Sequence, residues 1–310
     1  MELSHAVELF LQTVAMRSSK HTVYDYRNTL HQWQAFLGGD PPFEAVTADD
    51  IRRFLYHMRV ELERASKTVR NAHTGLSPFY TWAEVELGVP HLIRGRITAP
   101  KASSKAIVPL TKADAKALMD ACDRTAVWHN TTRAPATTSR PTRLRDRAII
   151  VLLLDTGIRA QELCDLLVGD VDIKTGAIQV RHGKGDKGRT VYLGLMGRDA
   201  LARYAAKRGK VVPGDPLFET NRRKAMDRDA LRRMLESAGQ RAEISEPVTP
   251  HRMRHTFAVT YLRNGGDVFT LQRLLGHSTM DMVKRYLSLA SVDMEEAHRK
   301  ASPADNWRLG

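Results

Sequence analysis

Helical periodicity constrains this chain more than any other feature of its sequence. Apolar residues recur at the three- and four-residue spacing of a helix in most segments between residues 4 and 289. The features of a strand appear only at residues 177–181 and 189–193, on either side of a glycine-rich turn. The sequence therefore predicts a mainly α fold with one small antiparallel sheet.

The first part of the chain predicts a small helical domain over residues 1–92. Its apolar stripes span residues 4–16, 22–37, 48–65 and 66–87. Thr47 followed by Asp50 matches a capping box at the start of the third helix. Ser66 is expected to cap the fourth helix, which Pro78 is expected to kink or interrupt.

A linker is predicted at residues 93–108, which lack clear periodicity and contain four basic residues but no acidic one. This charge predicts that the linker lies along phosphate groups. The basic residues are Arg94, Arg96, Lys101 and Lys105.

The rest of the chain predicts a mixed α+β domain over residues 109–300, followed by a tail at 301–310. Thr111 is expected to cap its first helix. Helices are expected at residues 112–122, 144–155, 160–167, 197–208, 227–238, 250–263, 267–275 and 279–289. Residues 124–143 are rich in Thr and Arg, and we expect a disordered surface loop there or, alternatively, an additional DNA or subunit contact.

Net charge points to a polyanionic partner. Lys and Arg number 48 against 35 Asp and Glu, and the surplus lies in the linker and the second domain, because residues 1–92 are slightly acidic. Nucleic acid is the commonest such partner. Cys122 and Cys164 are expected in the core. The sequence predicts neither a signal peptide nor a membrane-spanning segment. We therefore expect a cytoplasmic, nucleoid-associated protein.

Six residues in the second domain suit one chemical task, which is attack on a phosphodiester without a metal or another cofactor. An arginine fork matches phosphate oxygens. Tyrosine can be a covalent nucleophile, and histidine and lysine can move protons to and from the reacting oxygens. The six are Arg159, Lys184, His251, Arg254, His277 and Tyr286.

Two motifs that suggest other chemistry have simpler explanations. The glycines at 183, 185 and 188 match a dinucleotide-binding pattern, but a strand follows where that pattern requires a helix. They are therefore expected to close a hairpin. His251 and His255 have the spacing of a zinc pair, but the glutamate of that motif is missing and arginines surround the pair, so no metal site is predicted.

The sequence around the six residues resembles the tyrosine recombinase (phage integrase) family, especially its Xer-like and transposon- or phage-borne members. The resemblance extends over nearly the whole chain. It rests on TGIRAQEL, GKGDKGR, TPHRMRHTFA, LLGHSTM and a tyrosine nine residues after His277. The family often continues that tyrosine with Thr-His, whereas Leu287-Ser288 follows here.

The resemblance implies a role for each residue. Arg159 and Arg254 would clamp the non-bridging oxygens, and Glu162 would orient Arg159. Lys184, with Lys187 as the alternative, would protonate the leaving 5′ oxygen. His251 would assist proton transfer, His277 would hydrogen-bond the phosphate, and Tyr286 would attack it.

The same resemblance implies that the first domain is a SAM-like core-binding domain that clasps double-stranded DNA. Four side chains on one stripe of its fourth helix either reach a DNA groove or form a solvated helix face, namely Lys67, Arg70, Asn71 and Thr74. Four protomers would exchange strands through a Holliday junction, with the segment after Tyr286 exchanged between neighbours. The sequence does not decide whether an accessory recombinase or a directionality factor is a further partner.

Three other functions remain open from the residues. They are an inactive DNA-binding relative, a type IB topoisomerase and a metal-dependent nuclease. The sequence does not distinguish integration, transposition and chromosome-dimer resolution.

Overall fold

The structure is a computed structural model with two compact units, Met1–Ala106 and Ile107–Gly310. It describes residues 1–101, 107–123, 125, 128–130, 133–136, 138–181, 188–277, 279–280, 283–284, 286–287, 298 and 302–307. Within these residues, no helix has the length and apolar character needed to cross a membrane. The predicted mainly α fold with a small antiparallel sheet is confirmed.

Four α-helices form the first unit: α1 (Leu3–Ala15), α2 (Lys20–Leu37), α3 (Ala48–Tyr56) and α4 (Ser66–Glu86). Their apolar stripes meet around Phe79, whose ring lies 5.3 Å from that of Phe43 and 5.5 Å from that of Phe10. Trp33 and Tyr80 are fully buried in the same core. Large aromatic side chains therefore form the centre of this core.

The α3 helix begins with a side-chain cap, whereas the α4 helix does not. Thr47 and Asp50 form the predicted capping box at the start of α3. Ser66, in contrast, is the first residue of α4 and its side chain makes no cap bond, so that prediction is wrong. The α4 helix remains one helix through Pro78.

The third helix is shorter than predicted. It ends at Tyr56 and continues as a π-helical turn, His57–Glu61, in which the Leu62 amide donates to the His57 carbonyl at 2.9 Å. Glu63 then takes a left-handed conformation with φ of 49°. Because a non-glycine residue rarely continues a helix in that conformation, the helix cannot reach residue 65.

Part of the predicted linker packs against the first unit. Ile93 is buried, and the His73 ring lies 3.0 Å from the Ile97 carbonyl oxygen. The Arg52 guanidinium donates to the Arg96 carbonyl at 3.2 Å. The chain up to about residue 97 is therefore part of the first unit's fold.

The second unit surrounds the buried helix α6 (Arg143–Thr156). Further helices of this unit, with bounds within the described residues, are α5 (Lys112–Asp123), α7 (Ala160–Cys164), α8 (Leu195–Arg208), α9 (Arg228–Arg241), α10 (Pro250–Arg263), α11 (Val268–Leu275) and a short helix, Pro303–Trp307. Thr111 and Asp114 form reciprocal hydrogen bonds at the start of α5, as predicted for a cap.

Residues 128–130 and 133–136 form two short antiparallel strands, β1 (Trp128–Asn130) and β2 (Arg133–Ala136). The prediction of a disordered loop is wrong for this stretch. Its base is closed by two hydrogen bonds, from the Thr125 amide to the Thr138 carbonyl and from the Arg140 amide to the Asp123 carbonyl.

A three-stranded antiparallel sheet contains β3 (Val171–Asp172), β4 (Ala177–Val180) and β5 (Arg189–Tyr192) in that order. The β4 and β5 strands are the predicted pair, with Val180 opposite Arg189. The sequence did not predict β3, because two residues are too few to show strand periodicity. This sheet places the side chain of Arg189 beside α7 and α11.

Candidate active site

Arg159 is positioned by the end of the buried helix α6. Gly157 ends this helix in a left-handed conformation with φ of 60°, and a Cβ there would lie 2.2 Å from the Phe257 ring. Only glycine fits both the conformation and the contact. Arg159 follows as the N-cap residue of α7, and its backbone amide donates to Glu162 Oε2 at 2.7 Å.

The Glu162 carboxylate joins two arginines. Arg159 Nη1 donates to its Oε1 at 2.8 Å, while Arg189 donates to both of its oxygens at 2.9 and 2.8 Å. Burial raises the pKa of this carboxyl, but the hydrogen bonds from Arg189 and Arg159 outweigh burial and lower the pKa to about 2. Glu162 is therefore ionised and orients both guanidinium groups.

Arg189 was not among the residues predicted for the site. Its Nε also donates to the Leu274 carbonyl at 2.6 Å, and its side chain is largely buried. The signal available in the sequence was its position directly after the glycine-rich turn, at the start of a strand. A buried arginine there requires a carboxylate partner, and only the tertiary structure identifies that partner as Glu162.

Arg254 lies buried on α10. Its Nη1 donates to the Gly157 carbonyl at 2.8 Å and its Nη2 to the Leu275 carbonyl at 2.7 Å. Burial, followed by repulsion from Arg159, lowers the pKa of this guanidinium to about 10, so it remains charged at neutral pH. Its neighbour His251 was predicted to lie on the same face of the helix. In the structure, His251 is exposed in the first turn of α10, whereas Arg254 is buried.

The C-terminal end of α11 collects the three arginines. Its last carbonyls, of Leu274, Leu275 and Gly276, accept hydrogen bonds from Arg189, Arg254 and Arg159 respectively. Carbonyls at a helix C-terminus lack partners within the helix and carry partial negative charge, so they suit guanidinium donors. Glu162 is the one carboxylate bonded to these arginines among the described residues. The cluster therefore carries a surplus of positive charge.

His277 follows α11 directly and contacts Arg254, whose Nη2 lies 2.8 Å from His277 Nε2. Burial and the positive charges of Arg254, Arg159 and Arg189 lower the pKa of His277 to about 4. The ring is therefore neutral at pH 7. Since Nε2 accepts from Arg254, the ring proton lies on Nδ1, which has no hydrogen-bond partner among the described residues.

Tyr286 completes the cluster. Its ring is nearly parallel to that of His277, with the centroids 6.4 Å apart, and lies 5.3 Å from the ring of His255. The side chain is only 6% exposed and packs with apolar residues of α10 and α11. The structure thus brings Arg159, Glu162, Arg254, His277 and Tyr286 together.

His251 is linked to this cluster through His255. The two histidines lie one turn apart on α10, and the charge of His251 is one cause of the lowered pKa of His255, after burial. Lys184 and its alternative Lys187 lie outside the described residues.

Comparisons with known proteins identify the family. A model of the phage integrase family matches residues 108–292, and a model of the phage integrase N-terminal SAM-like domain matches residues 7–86. The chain belongs to the phage integrase family. The prediction of a tyrosine recombinase is thereby confirmed at the level of the family.

Relatives and solved structures in this family resemble the chain over nearly its whole length. Tyrosine recombinase XerC of Pelobacter propionicus is 28% identical over 98% of this chain and 96% of that protein. XerC of Thermodesulfovibrio yellowstonii is 30% identical over 92% of this chain and 91% of that protein. The Tn1549 transposon integrase, solved with a circular intermediate DNA, shares the fold with a TM-score of 0.74 at 20% identity, covering 95% of this chain and 98% of that one.

In this family member, the residues predicted to contact DNA in the first unit are exposed. Lys67, Arg70, Asn71 and Thr74 all lie on the surface of α4. The Thr74 hydroxyl donates to the Arg70 carbonyl of its own helix, which leaves it only an acceptor role. Asn71 and Thr74 also line a groove of about 460 Å³ between α2 and α4, together with Asn28, Thr29 and Gln32.

The predicted linker contacts differ from one another in their surroundings. Arg94 forms an ion pair with Glu84 at 2.9 Å, so part of its charge is already compensated. Arg96 and Lys101 are exposed, and Lys105 lies outside the described residues.

Proposed function

We propose that this chain is a site-specific DNA recombinase in which Tyr286 attacks the scissile phosphate. The surplus of positive charge at the end of α11 is the observation that carries the assignment. Among the described residues, three guanidinium groups lie there with one carboxylate, which bonds two of them, beside a neutral histidine and a buried tyrosine. Such a cluster suits an anion that gains charge during the reaction, as a phosphodiester does under attack.

The reaction follows from these positions. The Tyr286 oxygen forms a bond to phosphorus while the bond from phosphorus to the 5′ oxygen breaks, which leaves a 3′-phosphotyrosyl link and a free 5′ hydroxyl. The tyrosine proton passes towards His251, and Lys184 gives a proton to the 5′ oxygen. Arg159 and Arg254 retain N–H donors that no described residue uses, and these bind the non-bridging oxygens.

His277 contributes a hydrogen bond rather than a charge. Its ring is neutral because Arg254 and its neighbours lower its pKa to about 4. A phosphate between the arginines would offset their positive charge and so raise this pKa. Because Nδ1 carries a proton in the neutral and in the charged form, the ring can donate to a phosphate oxygen in either form.

Rejoining reverses the same step with a partner strand. Because the bond energy is kept in the phosphotyrosyl link, the exchange requires neither ATP nor a metal ion. We propose a tetramer on two DNA sites, with strand exchange through a Holliday junction and with the protein associated with the nucleoid. The DNA complexes solved for the Tn1549 integrase and for lambda integrase support DNA as the partner.

Covalent trapping tests the proposal without knowledge of the DNA site. Wild type and Tyr286→Phe are expressed in parallel, cells are lysed in detergent, and DNA attached to protein is recovered and sequenced. Adducts at 3′ ends are expected from the wild type and to fall below detection in Tyr286→Phe, because phenylalanine has no nucleophilic oxygen. Tyr261→Phe is the matched control, since Tyr261 is a half-buried tyrosine of α10 whose ring contacts Phe257 instead.

Three outcomes contradict parts of the proposal. Adducts that persist in Tyr286→Phe mean that another tyrosine attacks. DNA relaxation by the purified protein without paired sites indicates a type IB topoisomerase. Tight DNA binding without adducts, even on a nicked substrate that prevents rejoining, indicates an inactive DNA-binding relative.

A further inference from the structure

His255 is a buried histidine whose position the mechanism above does not use. It lies on α10 directly after Arg254 and is 6% exposed. Its ring centroid lies 5.3 Å from that of Tyr286, closer than the 6.4 Å between His277 and Tyr286. Among the described side chains, His255 and His277 are the two whose rings face that tyrosine.

One of the two ring nitrogens of His255 has no hydrogen-bond partner among the described residues. Its ring bonds to the backbone of Ile107, whereas Nε2 is buried and has no partner among the described residues. The bond to Ile107 therefore uses Nδ1, which must donate because the available backbone acceptor is a carbonyl. In the neutral ring this leaves Nε2 with a bare lone pair.

A backbone segment, called the strap below, holds the His255 ring in its orientation. The segment Ile107–Leu110 runs along α10, where Arg252 Nε donates to the Val108 carbonyl and the Leu110 amide donates to Thr256 Oγ1, both at 2.9 Å. These bonds flank the contact between His255 and Ile107. The orientation of the imidazole is thus set by its own helix and by the strap.

We infer that His255 is a positioning residue for Tyr286: it holds the phenol ring and, before the attack, accepts a hydrogen bond from the Tyr286 hydroxyl through Nε2. Buried polar atoms in proteins are almost always hydrogen-bonded, so a lone pair left bare beside the nucleophile needs a partner in some functional state. An apolar side chain would fill the same space without this requirement. Burial lowers the pKa of His255, which keeps the ring in the neutral, accepting form at pH 7.

Three substitutions separate this role from packing, under the proposed function on which the inference rests. His255→Phe keeps a ring but has neither nitrogen. His255→Gln places an amide near the position of Nε2, whereas His255→Asn places one near Nδ1. Each variant is compared with wild type in a single-turnover cleavage assay on a nicked substrate built from the site recovered by covalent trapping, with DNA affinity and thermal midpoint measured alongside.

Cleavage by His255→Phe is expected to slow by roughly 10- to 100-fold, while DNA affinity stays near that of wild type. His255→Gln is expected to recover more of the rate than His255→Asn. If His255→Phe cleaves as fast as wild type, or if the Asn variant exceeds the Gln variant, the inference is overturned. Should His255→Phe fail to fold, the comparison between Gln and Asn decides.

A substrate with sulfur in place of the bridging 5′ oxygen locates the defect in the reaction. A thiolate leaves without needing a proton, so this substrate is expected to restore cleavage by Lys184→Ala but not by His255→Phe. Restoration of His255→Phe would place its effect on the leaving-group side and overturn the inference. If the wild type forms no adduct on either substrate, the proposed function itself is contradicted. If the wild type forms adducts and the His255 variants cleave at the wild-type rate, only this inference is contradicted.

Discussion

Polar side chains are held in place in the arginine cluster at the end of α11 but are exposed on the polar stripe of α4, which consists of Lys67, Arg70, Asn71 and Thr74. In the cluster, Arg159, Arg189 and Arg254 each make at least two hydrogen bonds to a carboxylate or to backbone carbonyls. On the stripe, Lys67, Arg70 and Asn71 are exposed, and their side chains make no hydrogen bond within the part of the chain that the structure describes.

This difference separates two kinds of contribution. Groups fixed before the substrate arrives need no reorganisation during the reaction, which is how preorganised charges accelerate a chemical step. Exposed side chains lose rotamer freedom when they bind, and they contribute to affinity and to the choice of site. Changes in the cluster should therefore alter the rate of cleavage, and changes on the stripe should alter binding.

Among changes to the arginines of the cluster and to the stripe, the largest effect is expected from Arg254→Lys. A lysine ammonium on a flexible stem cannot reproduce the planar geometry that bonds the carbonyls of Gly157 and Leu275 and the ring of His277 together. Single-turnover cleavage should fall by roughly 10²- to 10³-fold, with DNA affinity changed much less.

Arg198→Lys is the matched control for this change. Arg198 is half-buried in the same unit and donates to the Ile173 carbonyl instead. If the two variants lose cleavage rate equally, the loss comes from a general disturbance of the fold. The arginine cluster would then have no specific role in the rate of cleavage.

Glu162→Gln is expected to reduce stability in a pH-dependent way. Because the pKa of this carboxyl is about 2 in the folded protein and about 4.5 ordinarily, the carboxylate stabilises the fold above about pH 4.5 and loses this effect as the pH falls towards 2. At pH 7 the variant should be less stable by up to about 3 kcal/mol. The difference between variant and wild type should shrink as the pH falls.

Chemical denaturation of both proteins between pH 7 and pH 2.5 measures this difference. Other carboxyls titrate equally in the two proteins and cancel. Glu236→Gln serves as the control, because Glu236 pairs with a single arginine at the surface and should change stability by under about 1 kcal/mol. A gap between Glu162→Gln and wild type that stays constant with pH would mean that the ionised form of Glu162 is not what stabilises the cluster.

Local signals made much of this fold predictable. Thr47 and Asp50 lie three residues apart, and the strands on either side of the glycine-rich turn are close in sequence, so short-range chemistry determines both. Arg159, Glu162, Arg254, His277 and Tyr286 were also named from the sequence, because their side-chain types suit phosphate chemistry. Their individual roles remain predictions that the experiments above test.

Long-range packing explains what the sequence did not reveal. Arg189 bonds a carbonyl 85 residues away at Leu274, and His255 faces a tyrosine that follows it by 31 positions. No local pattern encodes either contact. The end of α3 was missed for a related reason, because the left-handed Glu63 is set by how the chain turns towards α4.

The smallest effects are expected on the α4 stripe, where Asn71→Ala and Lys67→Ala should differ from each other. An amide can bond an adenine edge through two hydrogen bonds, so Asn71→Ala should weaken binding to the preferred site by about 1–3 kcal/mol and relax selectivity at one base pair. Lys67→Ala should weaken all DNA alike and lower the slope of log affinity against log salt by about 1. Mobility-shift titrations on the preferred site and on single-base variants, at several salt concentrations, measure both quantities. If Asn71→Ala weakens DNA binding equally on every sequence, Asn71 contacts the DNA backbone instead of a base. If either variant cleaves more slowly than wild type at saturating DNA, the stripe contributes to the chemistry as well.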